Sequence, residues 1–191
     1  MSKLLDDCFL HDKDRLRHGE ALAILKSRIR PVVATESVRL VDAAGRILAA
    51  AATAARAVPA HTNAAVDGYS FAAADYDRAA GSELAVEGRA AAGHPLARKP
   101  AARTAARIFT GAVMPDGHDT VVMQEDVATR TADGRTLVAV PAGVKPGANV
   151  RKAGEDVKAG ETVLDVGAVL RPQDLAALAS LGIGAVTCFA R

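Results

Sequence analysis

Residues 59–70 place a carboxylate beside glycine. The segment begins with proline and contains Asp67-Gly68-Tyr69. Glycine reaches positive φ without a steric penalty, and aspartate hydrogen-bonds the backbone just ahead of it, so an Asp-Gly pair predicts a tight turn. The pattern therefore predicts a carboxylate held on a stiff loop tip. A turn that merely joins two strands is the alternative interpretation.

A second group of polar residues follows two predicted strands. Residues 108–117 read as a strand that enters a turn at Thr110-Gly111, with a further turn at 115–117. The apolar run 121–123 predicts a buried strand that brings Glu125 and its polar neighbours to its end. A solvated strand end also explains these polar residues.

Residues 146–160 form the most glycine-punctuated and charged loop of the chain. Two cations, Arg151 and Lys152, lie a few residues before two anions, Glu155 and Asp156. This arrangement fits a local salt-bridged turn, and it also fits a place where guanidinium and carboxylate groups meet a charged ligand. The loop lacks the glycine and lysine spacing of a P-loop.

The composition of the chain argues against several classes of partner. It has 24 basic and 22 acidic residues, a net charge of +2, no tryptophan and 3% aromatic residues. Because neither a surplus of positive charge nor stacking platforms are available, nucleic acid is not an expected partner. No stretch reaches the length of a membrane span, and the acidic N-terminus does not read as a signal peptide. We expect a cytoplasmic protein.

Two cysteines, Cys8 and Cys188, lie near opposite ends of the chain. Isolated thiols of this kind read as reduced residues, and a disulfide between them is the alternative.

Local patterns predict the elements of the first third. Residues 1–17 are dense in charge and have no period, so we expect a disordered lead-in. From His18 a helix with one apolar face is predicted, and Pro31 ends it. The face consists of Ala21, Leu22, Leu25 and Ile29, with Ile24 beside it.

The next residues predict short elements. Val38 and Leu40 alternate with polar neighbours as in a strand, and Asp42 is placed to cap a brief helix that includes Ile47 and Leu48. Residues 49–57 are helical by propensity, but Pro59 makes an extended segment nearly as good an interpretation.

Strands and turns dominate the remainder. A strand is predicted over Glu83 to Glu87, and a hairpin around Asp133-Gly134 joins strands at 127–130 and 136–140. Pro172 predicts the first turn of a helix whose apolar face is Leu175, Leu178, Ala179 and Leu181, followed by a Gly182 cap and a closing strand at 186–189.

Taken in order, five motifs of this chain closely resemble the N-terminal half of the MoeA and gephyrin E-domain family. They are Asn63-Ala-Ala-Val-Asp67-Gly68-Tyr69, Thr110-Gly-Ala-Val-Met-Pro115, Val-Val-Met-Gln-Glu125, Gly147-Ala-Asn149-Val-Arg151-Lys-Ala-Gly154-Glu155-Asp156 and Ala179-Ser-Leu-Gly-Ile183. The chain departs from the family at 64–66, where a serine or alanine pair followed by methionine is usual, and at Ala153, where arginine is common. Neither departure removes a carboxylate or the threonine.

The resemblance implies an α+β fold in two parts. Residues 18–57 and 146–191 would form an elongated helical framework, and residues 58–145 an inserted, irregular β-rich domain. Family members continue into a pterin-binding α/β domain and a C-terminal β domain. Because neither is expected within these 191 residues, the resemblance implies a fragment that carries half of an active site.

The family consists of molybdopterin molybdenumtransferases, which insert molybdate into adenylylated molybdopterin with loss of AMP, helped by a divalent cation such as Mg²⁺. Carried over by motif, the catalytic residues would be Asp67, Thr110 and Asp156, with Asp67 also holding the metal. Arg151 and Glu125 would bind substrate. The chemistry agrees, because phosphate groups need cations to neutralise them, and a carboxylate can hold Mg²⁺ or its waters.

A different class of function is the alternative. The chain would then be a non-enzymatic oligomerisation or partner-binding module, with other molybdenum cofactor biosynthesis proteins as possible partners. In either case the apolar faces at 22–29 and 175–181 predict a homodimer, because a monomer would leave them partly exposed.

Overall fold

The computed structural model describes residues 17–191, which form twelve strands and two helices. The strands are β1 (Thr35–Arg39), β2 (Ala52–Thr53), β3 (Asn63–Ala64), β4 (Gly68–Phe71), β5 (Ser82–Ala90), β6 (Thr104–Ile108), β7 (Thr120–Met123), β8 (Ala128–Ala132), β9 (Arg135–Val140), β10 (Val150–Arg151), β11 (Thr162–Leu164) and β12 (Ala185–Phe189). The helices are α1 (His18–Arg28) and α2 (Pro172–Ser180). Apart from Arg17, the predicted lead-in at 1–17 lies outside the described residues.

A six-stranded sheet occupies the middle of the chain, in the order β7-β4-β6-β5-β9-β8. All neighbours are antiparallel except β5 and β6, which run parallel. One apolar cluster of this sheet consists of Phe71, Leu84, Ala105, Val122, Val138 and Val140. Small aliphatic side chains therefore supply most of the packing, as the low aromatic content predicts. The sheet lies inside the segment 58–145, whose bounds as a domain remain a prediction.

The hairpin between β8 and β9 has the predicted turn. Asp133 has φ of 51° and Gly134 has φ of 71°, the two positive values that a two-residue hairpin loop requires. Both neighbouring strands are confirmed.

Segments before and after the sheet are held together by three short antiparallel ladders. β1 pairs with β12, β2 with β11, and β3 with β10. A buried cluster lies with them: Val38, Leu40, Ala43, Leu48, Ala52, Leu170, Leu178, Val186 and Cys188. The chain thus leaves one framework, forms the sheet and returns, and the predicted α+β class is confirmed.

Both predicted helices are present, but only one packs into the core. Helix α2 begins at Pro172, buries Leu178 and ends before Gly182, whose φ of 79° suits a C-terminal cap. Helix α1 has no buried residue, and Leu25 and Ile29 are 52% and 67% exposed. Within residues 17–191, its apolar face contributes to none of the three buried clusters.

The predicted helix from Asp42 to Leu48 is wrong. A single 3-10 turn covers Leu40–Asp42, after which Ile47 bridges to Val169 and Leu48 bridges to Cys188. Leu48 is fully buried, so pairing with distant residues decides its conformation. Of the two interpretations of residues 49–57, the helix is wrong: the segment contains β2 with bends on either side of it. Tertiary pairing here overrides the helix propensity of alanine.

Cys188 is buried in the framework cluster, and Cys8 lies outside the described residues. Between residues 17 and 191 no helix is long and apolar enough to cross a bilayer.

Candidate functional site

The Asp-Gly pair is placed by a close approach of two strands. Gly68 begins β4, and a Cβ atom built there would lie 1.8 Å from the carbonyl oxygen of Val122 on β7. Gly68 does not have a positive φ. The reason predicted for this glycine is therefore wrong, because the position needs the absence of a side chain and not a left-handed backbone. Asp67 occupies the bend just before the strand.

The Asp67 carboxylate is fixed by Thr110. Its Oδ1 atom accepts hydrogen bonds from the Thr110 amide nitrogen at 2.8 Å and from Thr110 Oγ1 at 2.7 Å. These bonds, the backbone one first, lower the pKa of Asp67, and the nearby Arg107 charge lowers it further. The residues at 17–191 donate no hydrogen bond to Oδ2, and none of their buried side-chain oxygens lacks a partner, so Oδ2 is accessible to solvent. Two residues 43 positions apart thus form one polar site.

This geometry also sets the role of the threonine hydroxyl. A hydroxyl has one proton, and that of Thr110 is donated to Asp67. Thr110 is exposed, so its oxygen is accessible as an acceptor, but it can donate to a ligand oxyanion only after rotating away from Asp67.

Arg107 on β6 is a site residue that the sequence analysis missed. Its Nη1 donates to the carbonyl oxygen of Gly68 at 2.9 Å, and its Nη2 donates to Gln124 Oε1. Gln124 Nε2 in turn donates to Glu125 Oε1 at 2.9 Å. The sequence signal was a single charged residue inside an apolar strand, three positions before Thr110.

The second polar group of the site is an ion pair within one loop. Arg151 Nη2 donates to Asp156 Oδ1 at 2.5 Å, and Arg151 Nε lies 3.5 Å from Glu155 Oε1. Asp156 raises the pKa of Arg151. Both partners are about half exposed, with side-chain accessibilities of 40% and 49%, so the pair stabilises the fold little. The salt-bridged turn is present, and a role with a charged ligand remains a prediction.

The two groups are linked through the segment that precedes Asp67. β10 pairs with β3, which places Arg151 opposite Asn63. Two further hydrogen bonds join the loop to this segment, from the Gly154 nitrogen to the Pro59 carbonyl at 2.9 Å and from the Ala153 nitrogen to Thr62 Oγ1 at 3.2 Å. The Arg151 loop and Asp67 are therefore anchored on the same short stretch of backbone.

The carboxylates do not form a metal cage. Within residues 17–191 no group of three or more His, Cys, Asp or Glu side chains is arranged to hold a metal ion. Mg²⁺, however, commonly keeps several waters and binds one or two carboxylates together with phosphate oxygens of a substrate. The outward Oδ2 of Asp67 fits that mode of binding, and it does not fit a site built from protein ligands alone.

The chain is similar to known proteins over most of its length. The family model of the MoeA N-terminal region (domain I and II) matches residues 16–182 of this chain. A molybdopterin molybdenumtransferase from Haemophilus influenzae is 41% identical over 155 residues, which cover 81% of this chain and 37% of the relative. Gephyrin from Dictyostelium discoideum is 39% identical over 82 residues, or 43% of this chain and 11% of that protein.

The fold has a counterpart among solved structures. The molybdopterin biosynthesis moeA protein from Pyrococcus horikoshii OT3 superposes with a TM-score of 0.74 at 38% identity, covering 91% of this chain and 45% of that one. The chain thus spans less than half the length of the relatives it matches. With the family's region matched over residues 16–182, the chain belongs to the MoeA N-terminal family.

Proposed function

We propose that this chain supplies one half of the active site of a molybdopterin molybdenumtransferase, which inserts molybdate into adenylylated molybdopterin and releases AMP. The observation that carries the proposal is the Asp67 carboxylate held by both donors of Thr110, with one oxygen directed outward. Motif similarity alone does not require these two residues to touch. The relatives named as molybdopterin molybdenumtransferases support the reaction.

Asp67 is the residue of this chain that we propose as a ligand of a divalent cation, taken as Mg²⁺. When bound, such an ion neutralises negative charge on the phosphate groups of the substrate. Asp67 is suited to hold it because hydrogen bonds from Thr110 keep the carboxylate ionised and orient it.

We assign Arg151 and Glu125 to substrate binding, and Asp156 to catalysis together with Asp67 and Thr110; Asp156 would act by orienting Arg151. Asp156 and Glu155 hold the guanidinium in place from one side. A guanidinium fixed in this way presents its remaining donors to an anionic group such as phosphate or molybdate. The Gln124 amide restrains Glu125 in the same manner.

A chimaera tests the proposal. Residues 16–182 of this chain replace the matching segment of the Haemophilus influenzae relative, and AMP release from adenylylated molybdopterin is measured with and without molybdate. We expect molybdate-dependent release by the chimaera and none by the 191-residue chain alone, since the latter spans 37% of that relative.

A second chimaera, carrying the matching Pyrococcus horikoshii segment, controls for the junctions. If that control is active while a folded chimaera of the present chain releases no AMP, the proposed function is wrong.

The uncovered face of α1 favours a second candidate function. Leu22 and Leu25 of α1 are 41% and 52% exposed, Ile29 directly after the helix is 67% exposed, and the helix has no buried residue. We propose that this face joins two copies of the chain in a homodimer. In a non-enzymatic module the same face would bind another protein of molybdenum cofactor biosynthesis.

A further inference from the structure

We infer that Arg107 is a positioning residue that holds Asp67, Thr110 and Glu125 in a fixed mutual arrangement. The inference rests on the proposed function only where activity is measured. The Arg107 guanidinium contacts three residues: Gly68, Phe109 and Gln124. Each of them is adjacent in sequence to one residue of the site, in the order Asp67, Thr110 and Glu125.

The location of Arg107 makes these contacts necessary. It lies on β6, an inner strand of the sheet, opposite Tyr69 of β4 and beside Arg89 of β5. The side chain is half-buried, and a guanidinium removed from water is costly unless its donors are hydrogen-bonded. Along residues 17–191 no carboxylate forms an ion pair with it. Neutral acceptors therefore satisfy it, and they come from two different segments.

The planar fork of arginine bridges those segments. Nη1 reaches the Gly68 carbonyl at the start of β4, and Nη2 reaches the Gln124 side chain just after β7. Gly68 follows Asp67 directly, and the backbone nitrogen of Gln124 donates to the backbone carbonyl of Asp67 at 3.1 Å. The backbone that leaves Asp67 is consequently held at two successive carbonyl groups, one by Arg107 itself and one by Gln124, whose side chain Arg107 contacts.

Arg107 also orients Glu125 through Gln124. A guanidinium only donates hydrogen bonds, so the amide oxygen of Gln124 must face Arg107 and its NH₂ group must face away. That NH₂ group donates to Glu125 Oε1 at 2.9 Å. Removing the guanidinium would remove one of the two contacts that orient this amide, and the other is the Glu125 carboxylate itself.

Two aromatic rings fix the guanidinium itself. The Arg107 Cζ atom lies 4.5 Å from the centroid of Phe109 and 5.1 Å from that of Tyr69. Phe109 directly precedes Thr110 and is also covered by Arg89, whose Cζ lies 4.6 Å from the ring. Arg89 shares the ring contact, but its side chain donates no hydrogen bond within residues 17–191, which makes it a matched control. The unpaired charge of Arg107 lowers the pKa of Asp67 as well.

The structural test uses the 191-residue chain and nuclear magnetic resonance. Arg107→Gln, Arg107→Lys and Arg89→Gln are compared at one pH by the chemical shift of the Asp67 carboxyl carbon, the amide resonance of Thr110 and the side-chain NH₂ resonances of Gln124. In Arg107→Gln we expect all three signals to move, because the contacts to Gly68, Phe109 and Gln124 are lost. In Arg107→Lys the Gln124 resonances should remain displaced, because the charge is kept but the fork is lost.

Arg89→Gln is expected to leave the Asp67 and Gln124 signals unchanged. The inference is overturned if Arg107→Gln leaves all three signals at their wild-type positions, or if Arg89→Gln moves them as much. Should Arg107→Gln fail to fold, Arg107→Lys decides, since unchanged Gln124 resonances there would equally refute the bridge.

Activity provides an independent measurement in the chimaera described above. We expect Arg107→Gln to lower kcat by about 10-fold or more with a smaller change in KM, as for residues that position catalytic groups. Arg107→Lys should recover part of the loss. An inactive parent chimaera would count against the proposed function alone, because the resonance measurements do not depend on turnover.

Discussion

At the scale of single residues, His118 is a half-buried titratable group that contacts the six-stranded sheet. Its Nδ1 atom lies 3.0 Å from Oγ of Ser70, which is fully buried. Burial lowers the pKa of His118 below its usual 6.5, and the Asp119 and Asp75 charges oppose the shift in part. The folded protein therefore favours the neutral imidazole.

We predict from this shift a loss of stability on acidification. Because the pKa of His118 is lower when folded, the unfolded chain binds more protons between the two pKa values, and the free energy of unfolding must fall as pH drops below about 6.5. Urea denaturation at a series of pH values measures this free energy of unfolding. His118→Asn should flatten the curve in that window, and an equal slope in the variant would show that another group is responsible.

The order of motifs in the sequence marked Asp67 and Thr110 as candidate site residues. It did not predict their direct contact, because that contact depends on segments 43 positions apart that the sheet brings together. Arg107 was missed because its partners, Gly68 and Gln124, are distant in sequence. A lone arginine in an apolar strand gives no local signal of what it binds.

At the scale of elements, the close pairing of β4 with β7 depends on Gly68. A methyl group there would lie 1.8 Å from the Val122 carbonyl oxygen, so the strands would have to separate. We predict that Gly68→Ala lowers the free energy of unfolding by about 3 kcal/mol, measured by urea denaturation. Gly184→Ala is the matched control, because it also lacks a positive φ and nothing lies within 4 Å of its Cβ position. A loss below that of the control would refute the close approach.

Elements with local signals were predicted well. Helix α2 has its proline start and glycine end, and the β8–β9 hairpin has its Asp-Gly turn. The helix predicted through Ile47 and Leu48 failed because those residues bridge to Val169 and Cys188, more than 120 positions away. Three two-stranded ladders of the framework are equally non-local, and no periodicity within one segment announces them.

At the scale of the whole molecule, the apolar face of α1 predicts self-association. Leu25→Glu should shift the chain from dimer to monomer, because it places a charge at the centre of that face. Light scattering over a range of concentrations measures the mass. Ala23→Glu, on the opposite side of the same exposed helix, carries the same charge change and should leave the dimer intact. A wild-type chain that stays monomeric at high concentration would contradict the prediction.

Substitution of Asp67 in the active chimaera distinguishes a chemical role of its carboxylate from the role of a turn residue. We predict that Asp67→Asn leaves the melting temperature nearly unchanged, since asparagine tolerates the same bend. Molybdate-dependent AMP release should fall steeply and recover partly with added Mg²⁺, because the outward carboxylate oxygen has lost its charge. Thr110→Ala should also lose activity, but without a response to metal. If Asp67→Asn lowers the melting temperature by many degrees while turnover per folded molecule is unchanged, Asp67 is a structural residue and the account is wrong.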